Sequence, residues 1–262
     1  MARAHRYFIP GYIWHITHRC HKQEFLLKFA KDRHRWLQWL YQARKRYGLV
    51  ILNYMVTSNH IHLLVKDDAA TGSNVIPRSI QLVAGRTGQE YNQRKRRKGA
   101  FWEDRYHATA VESGDHFLKC LVYIDLNMVR AGVVAHPNEW PHSSYNEIQS
   151  PRRKYVLIDS DSLMRLAGFT DYGPFREAHR NWVHAAISEG PSTIRPEWSK
   201  AIAVGGLEFV QAVKDRLRAM AIGRHIVSNP KTESYELKET AESYTAHFDP
   251  KKDDIAHTNT YK

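Results

Sequence analysis

The sequence predicts an α+β fold of the ferredoxin- or RRM-like kind, with a small antiparallel sheet, flanking helices and a helical extension after it. Three observations carry this. The order of elements along the first 150 residues reads β-α-β-β-α-β-α. Two of the strands, "LVILNYMV" (49–56) and "HIHLLVK" (60–66), are separated only by a short turn around Ser58 and Asn59, which makes them a hairpin. Hydrophobic residues make up 42% of the chain, enough for a real core, and no internal repeat or low-complexity block competes with a globular reading.

The elements follow in order. "GYIWHITHRC" (11–20) is rich in β-branched and aromatic residues and reads as the first strand. Residues 29–47 place Phe29, Trp36, Trp39 or Leu40, and Ala43 on one stripe at helical spacing, and Gly48 ends that helix. The hairpin comes next. "SNVIPRSIQLVAGRTGQEYNQRKRRK" (73–98) looks helical from about Pro77 and ends in a basic run before Gly99. "RYHATAVE" (105–112) is the fourth strand. Ser113 or Asp115 is placed to cap the helix "DHFLKCLVYIDLNMVRAG", which stops at Gly132. "HPNEWPHSSYNE" (136–147), Pro-rich and anchored by a tryptophan, closes the domain. Domain 1–150 is thus followed by an accessory region, 151–262. Its segments "DSLMRLAGF", "GPFREAHRNWVHAAISEG" and "GLEFVQAVKDRLRAMAIG" read as three helices, and the polar stretch 227–262 reads as largely irregular.

Charge divides the chain. Residues 1–150 hold 22 Lys and Arg against 12 Asp and Glu, a net of +10, while residues 151–262 hold 17 against 15, a net of +2. A basic domain joined to a nearly neutral one points to a polyanion as the first domain's partner. No apolar run approaches the roughly 18 residues that span a bilayer, and "MARAHRYFIP" lacks a signal-peptide core, so a membrane partner is not expected. The two cysteines, Cys20 and Cys120, lie in different segments and suit a reducing, cytoplasmic location.

The chemistry begins at "TSNHIHLLVKD" (57–67). On a strand, residues i and i+2 share a face, so His60 and His62 project together and Ile61 points to the other side. Two same-side imidazoles are a partial ligand set for a divalent metal, although an isolated H-x-H equally fits two satisfied surface histidines. On the helix after the fourth strand, Tyr123 and Asn127 are i and i+4 and share a face. A phenol beside a metal-bound phosphate can attack phosphorus, and an asparagine one turn on can offer its carbonyl oxygen to the same metal. A helix tyrosine is more often a core aromatic whose hydroxyl bonds a carbonyl.

"NYMVTSNHIHLLV", "FWEDRYHATAVES" and "YIDLNMVRAG" together resemble the core motifs of the single-tyrosine HUH transposases, and most of all their REP-associated branch, over about residues 5–148. The resemblance implies His60 and His62 as metal ligands, Asn127 as a third ligand, Tyr123 as nucleophile and Mg²⁺ or Mn²⁺ as cofactor. It implies single-stranded DNA with hairpin or repeat ends as substrate. Cleavage would leave a 5′-phosphotyrosine and a free 3′-OH, and a second 3′-OH would rejoin strands without ATP. One departure stands out: relatives often carry proline after the asparagine, and this chain has Met128, which should let the helix run on to Arg130. Nothing of the family carries over to residues beyond 150, and monomer and homodimer both remain open.

Around this centre, Arg94, Lys95, Arg96, Arg97 and Lys98 form a basic run suited to phosphate contact or to a solvated face. Trp102, Tyr106 and His107 offer stacking surfaces for bases, with a core role for Trp102 at least as natural. Arg105 or Arg19 can clamp the scissile phosphate. Glu103 and Asp104 can orient His60 or His62, or pair with Arg105. His15 and His18, three apart on the first strand, face opposite sides and read as surface or DNA-contacting residues. Two other functions compete. A non-catalytic RRM-like nucleic-acid binding protein would need exposed aromatics on its central strands, and a water-using two-histidine phosphodiesterase would need a second H-x-T/S motif or an acidic cluster.

Overall fold

The computed structural model describes residues 8–67, 74–190, 197–218, 222–230 and 232–239. The first half follows the expected order: β1 (Ile13–Arg19), α1 (Ala30–Tyr47), β2 (Val50–Val56), β3 (His60–Lys66), α2 (Val75–Lys95), β4 (His107–Val111) and α3 (Asp115–Asp125). These strands pair antiparallel in the order β2-β3-β1-β4. The β2–β3 turn closes with the Thr57 amide donating to the His60 carbonyl at 3.0 Å, around Ser58 and Asn59. Helix α1 buries Trp36, Leu37, Leu40 and Ala43 and ends at Gly48, whose φ of 72° is a left-handed conformation that glycine adopts without strain.

The helix carrying Tyr123 behaves differently from expectation at both ends. Gly114, not Ser113 or Asp115, occupies its N-cap, and no side chain caps it. It does not run smoothly to Arg130. Regular helix stops at Asp125, the backbone opens at Leu126 (ψ 4°), and a further turn, α4 (Asn127–Arg130), follows. The i→i−4 bonds persist through the break, from the Leu126 amide to the Val122 carbonyl and from the Arg130 amide to the Leu126 carbonyl. The kink therefore needs no proline, and Met128 leaves the turn intact.

Beyond α4 the chain returns to the sheet edge. The Val56 amide bonds the His142 carbonyl, the Ser144 amide bonds the Tyr54 carbonyl, and the Trp140 indole donates to the Val56 carbonyl, so the segment expected to close the domain covers β2. Four helices follow: α5 (Tyr145–Gln149), α6 (Ser160–Leu166), α7 (Tyr172–Ser188) and α8 (Glu197–Lys200). The chain then adds β5 (Ala203–Gly205), α9 (Leu207–Leu217), β6 (Arg224–Asn229) and β7 (Ser234–Glu239). The region after 150 is thus not only helical, and the stretch read as irregular contains β7. The three late strands extend the sheet to β2-β3-β1-β4-β5-β7-β6, with β5 parallel to β4. A close approach fixes Gly205, where a Cβ would meet the Phe209 ring at 2.5 Å and Glu112 at 2.8 Å.

Candidate metal and nucleophile site

The register of the sheet builds the site. β1 and β3 pair with Arg19 opposite His60, Thr17 opposite His62 and His15 opposite Leu64. Opposed residues project to the same face, so Arg19, Thr17 and His15 share it with His60 and His62, and His15 reaches His62 on the diagonal. His18, an odd number of residues from His15, points to the other side, as its spacing requires.

The two imidazoles stand 4.9 Å apart between ring centroids. Each has its Nδ1 engaged. His60 Nδ1 lies 2.7 Å from Asn59 Oδ1 and 3.0 Å from Thr57 Oγ1. His62 Nδ1 lies 2.9 Å from His15 Nε2, and His15 Nδ1 lies 2.7 Å from the Trp198 carbonyl oxygen. These partners, and not Glu103 or Asp104, orient the pair; the Asp104 carbonyl bonds His18 instead. His15 is fully buried, contrary to a surface role, and its ring lies nearly parallel to that of His62, with centroids 5.1 Å apart and an interplanar angle of 4°.

Burial also sets the charge. It holds His15 down to about 3 and, with the Arg19 guanidinium, His60 down to about 4. Burial first, then His60, His15, Arg130 and Arg19, holds His62 well below its ordinary value. The pair is therefore neutral near pH 7 and keeps lone pairs for a cation.

Helices α3 and α4 supply the rest. The terminal amide of Asn127 lies 2.9 Å from His62 Nε2. Its nitrogen and oxygen differ only by a rotation of the amide, so either atom can take that place. The Tyr123 ring meets His62 edge-on at 5.9 Å and His15 at 6.2 Å. The Arg130 guanidinium lies 4.0 Å over the Tyr123 ring and donates to its backbone carbonyl at 2.7 Å. Burial raises the phenol's pKa, and Arg130 opposes that rise. Tyr123 stands on the wall of a groove of about 440 Å³ between α3–α4 and α7, shared with Lys119, Val122, Arg130 and Trp182.

No group of three or more His, Cys, Asp or Glu among the described residues is placed to hold a metal ion. The donor set here is two neutral imidazoles and an amide, which suits a divalent ion and lies outside that class. The residues fit: both rings are anchored through Nδ1, and the Nε2 of His62 meets the Asn127 amide.

Residues 9–127 match the family model described as "Transposase IS200 like". Over this stretch, under half of the chain, the protein is similar to the IS200-like transposases. All four central residues, His60, His62, Tyr123 and Asn127, fall within the transposase segment, while Arg130 and Trp198 lie beyond it. No curated protein matches the chain. Among solved structures, one described as a REP-associated tyrosine transposase bound to a REP hairpin is similar at 18% identity and a TM-score of 0.46, covering 58% of this chain and 87% of that one. A putative transposase from Deinococcus radiodurans R1 is similar at 14% identity and a TM-score of 0.33, covering 45% of this chain and 91% of that one.

The other predicted contacts of the transposase segment fall in two places. Arg19 is exposed beside His60, on the site face. Trp102 stacks on His18 at 4.1 Å and donates its indole N–H to the Ala84 carbonyl, and Tyr106 lies 6.2 Å from Phe8 and from His18, so both belong to the opposite face. Of the basic run, Arg94 pairs with Asp32, Lys95 lies over Phe29, and Arg97 reaches Glu24 and the Ala100 carbonyl. Arg96 takes the left-handed cap of α2 and, with Lys98 and Arg105, is exposed. His107 is on the site face, where it bonds the Ala201 carbonyl at 2.9 Å. Sequence reasoning missed Arg130, His15 and Asn59. The last had a signal, since it directly precedes His60 in a two-residue turn.

Proposed function

We propose that this protein is a metal-dependent single-stranded DNA nicking and strand-transfer enzyme, with Tyr123 as nucleophile and His60, His62 and Asn127 as ligands for Mg²⁺ or Mn²⁺. One observation carries the reading: a strand and a kinked helix bring two Nδ1-anchored imidazoles, an amide and a tyrosine to one face of the sheet. The metal, when bound, polarises the phosphate as a Lewis acid.

The chain's own residues do the remainder. Arg130, packed on the Tyr123 ring, favours the phenolate that burial disfavours. The Tyr123 oxygen attacks phosphorus, the bond from phosphorus to the 3′ oxygen breaks, and that oxygen takes up a proton to leave as a 3′-OH. The 5′ side stays on Tyr123 as a phosphodiester. A second 3′-OH attacks it, gives its proton back to the tyrosine oxygen and restores the phosphodiester of the strand. Arg19, exposed opposite His60, is placed to hold a phosphate at the site. The groove beside Tyr123 gives the strand a way out between α3 and α7. The catalytic unit on this reading is residues 1–150, acting on hairpin or repeat ends, with 151–262 as an accessory region.

The test is to incubate the full chain with Mn²⁺ and labelled single-stranded hairpins drawn from the flanks of its own gene. A covalent protein–DNA adduct on a denaturing gel, dependent on metal and missing from Tyr123→Phe, is the expected result. Salt-sensitive binding without any adduct would point to a non-catalytic binding protein instead.

A further inference from the structure

We propose that His15 is a positioning residue for the metal site, the middle link of a hydrogen-bond chain that starts at the backbone carbonyl of Trp198 and fixes which nitrogen of His62 faces the metal. The inference rests on the metal-site reading above.

The chain of donors has one direction. A carbonyl oxygen only accepts, so His15 Nδ1, 2.7 Å from the Trp198 oxygen, carries its ring's proton. A neutral imidazole has a single N–H, which leaves a lone pair on His15 Nε2. That nitrogen is 2.9 Å from His62 Nδ1, and one of the two must donate, so the proton is on His62 Nδ1. The lone pair of His62 then sits on Nε2, the atom that meets the Asn127 amide at 2.9 Å. With the proton on the other nitrogen, His62 would present an N–H where a ligand needs a lone pair.

The far end of the chain is held for a physical reason. The last carbonyls of a helix lack intrahelical partners. At the end of α8 the sheet supplies them: His15 bonds the Trp198 carbonyl, and Thr109 Oγ1 and His107 bond the Ala201 carbonyl at 2.6 and 2.9 Å. Three side chains of β1 and β4, all on the site face, thus seat a segment 183 residues from His15 against the ligand pair. His60 obtains the same service locally, from Asn59 in its own turn. One ligand is oriented by its neighbour, and the other by the region that follows the transposase segment.

The first measurement needs no variant and no metal. Long-range ¹H–¹⁵N NMR of the histidine-labelled, metal-free full chain at pH 7 should find His62 protonated on Nδ1; a proton on Nε2 overturns the proposal. The second is Mn²⁺ affinity by EPR titration. Replacing an orienting partner typically costs about 10–100-fold in metal affinity. His15→Phe should weaken Mn²⁺ binding by that factor, and His15→Gln, whose amide oxygen can accept from His62, should recover it to within a few-fold. Unchanged affinity in His15→Phe overturns the proposal while leaving the metal site standing. A wild-type chain that takes up no Mn²⁺ overturns the metal-site reading, and the role of His15 with it.

Discussion

On one face of the β1–β4 sheet, His15, His60 and His62 are satisfied by one another, by Asn59 and by a backbone carbonyl, and both candidate ligands keep an Nε2 directed away from their anchors. On the other, His18 is also buried and also hydrogen-bonded, but its ring stacks on Trp102 and its nitrogen bonds the Asp104 carbonyl. The same residue type on the same strand therefore plays two parts. The difference is what lies above the ring: a kinked helix bringing an amide and a tyrosine, or an indole that fills the space. Burial of a histidine says little about function until its second nitrogen has been traced.

The contrast can be broken in several places. The largest effect is expected at the proposed nucleophile, where Tyr123→Phe should remove the covalent adduct altogether while DNA binding survives. Next, His60→Ala or His62→Ala should slow single-turnover cleavage by about 10³-fold, because Lewis-acid stabilisation contributes several kcal/mol. His18→Ala, on the other face, should leave the cleavage rate within a few-fold. Equal losses from all three would erase the distinction between the faces.

The basic run tests whether the second face touches DNA at all. Changing Arg94, Lys95, Arg96, Arg97 and Lys98 together to Gln should lower affinity, and the slope of log affinity against log salt should shrink by about 0.7 for each lost phosphate contact. Since Arg94 and Arg97 already have carboxylate partners, we expect the slope to fall by about two and the cleavage rate at saturating DNA to hold.

Acid should expose the buried imidazoles. In the folded chain His15 titrates at about 3, and His60 and His142 at about 4, against about 6.5 when unfolded. Between those values the unfolded chain binds more protons, so stability falls as pH drops below 6.5, by about 1.4 kcal/mol per unit for each such group. Urea unfolding at pH 7, 5.5 and 4.5 measures this, and His15→Phe should show a shallower dependence.

The smallest effect is expected at Trp102. Trp102→Phe keeps a ring against His18 and loses the bond to Ala84, which costs about 1 kcal/mol, or a few degrees in Tm. DNA affinity should not change. A tenfold loss of affinity at constant Tm would instead make the indole a base-stacking platform.

The side chains that meet at the centre of the candidate site could be grouped from the sequence because their signals are local. H-x-H on a strand shares a face by the two-residue period, and Tyr123 and Asn127 meet by the helical one. The ferredoxin-like order was likewise legible from alternating strand and helix patterns. What lay beyond was long-range or weak. The link from His62 to His15 depends on the β1–β3 register, and that from His15 to Trp198 on a backbone atom, which no residue pattern marks. β5 has only three residues, and β7 alternates Tyr, Leu and charged side chains in a stretch whose overall polarity reads as loop. The opening at Leu126 leaves no signature, since neither Gly nor Pro stands there.

The segment that covers β2 has a consequence for association. Strand edges are templates on which other chains can build, and proteins commonly block them. Here His142, Ser144 and Trp140 occupy the backbone groups of Val56 and Tyr54. At the other end of the strand order stands β6, bearing Arg224 and His225 at its start. Along β2 the chain thus covers its own sheet edge, and those backbone groups are not offered to a strand of another molecule.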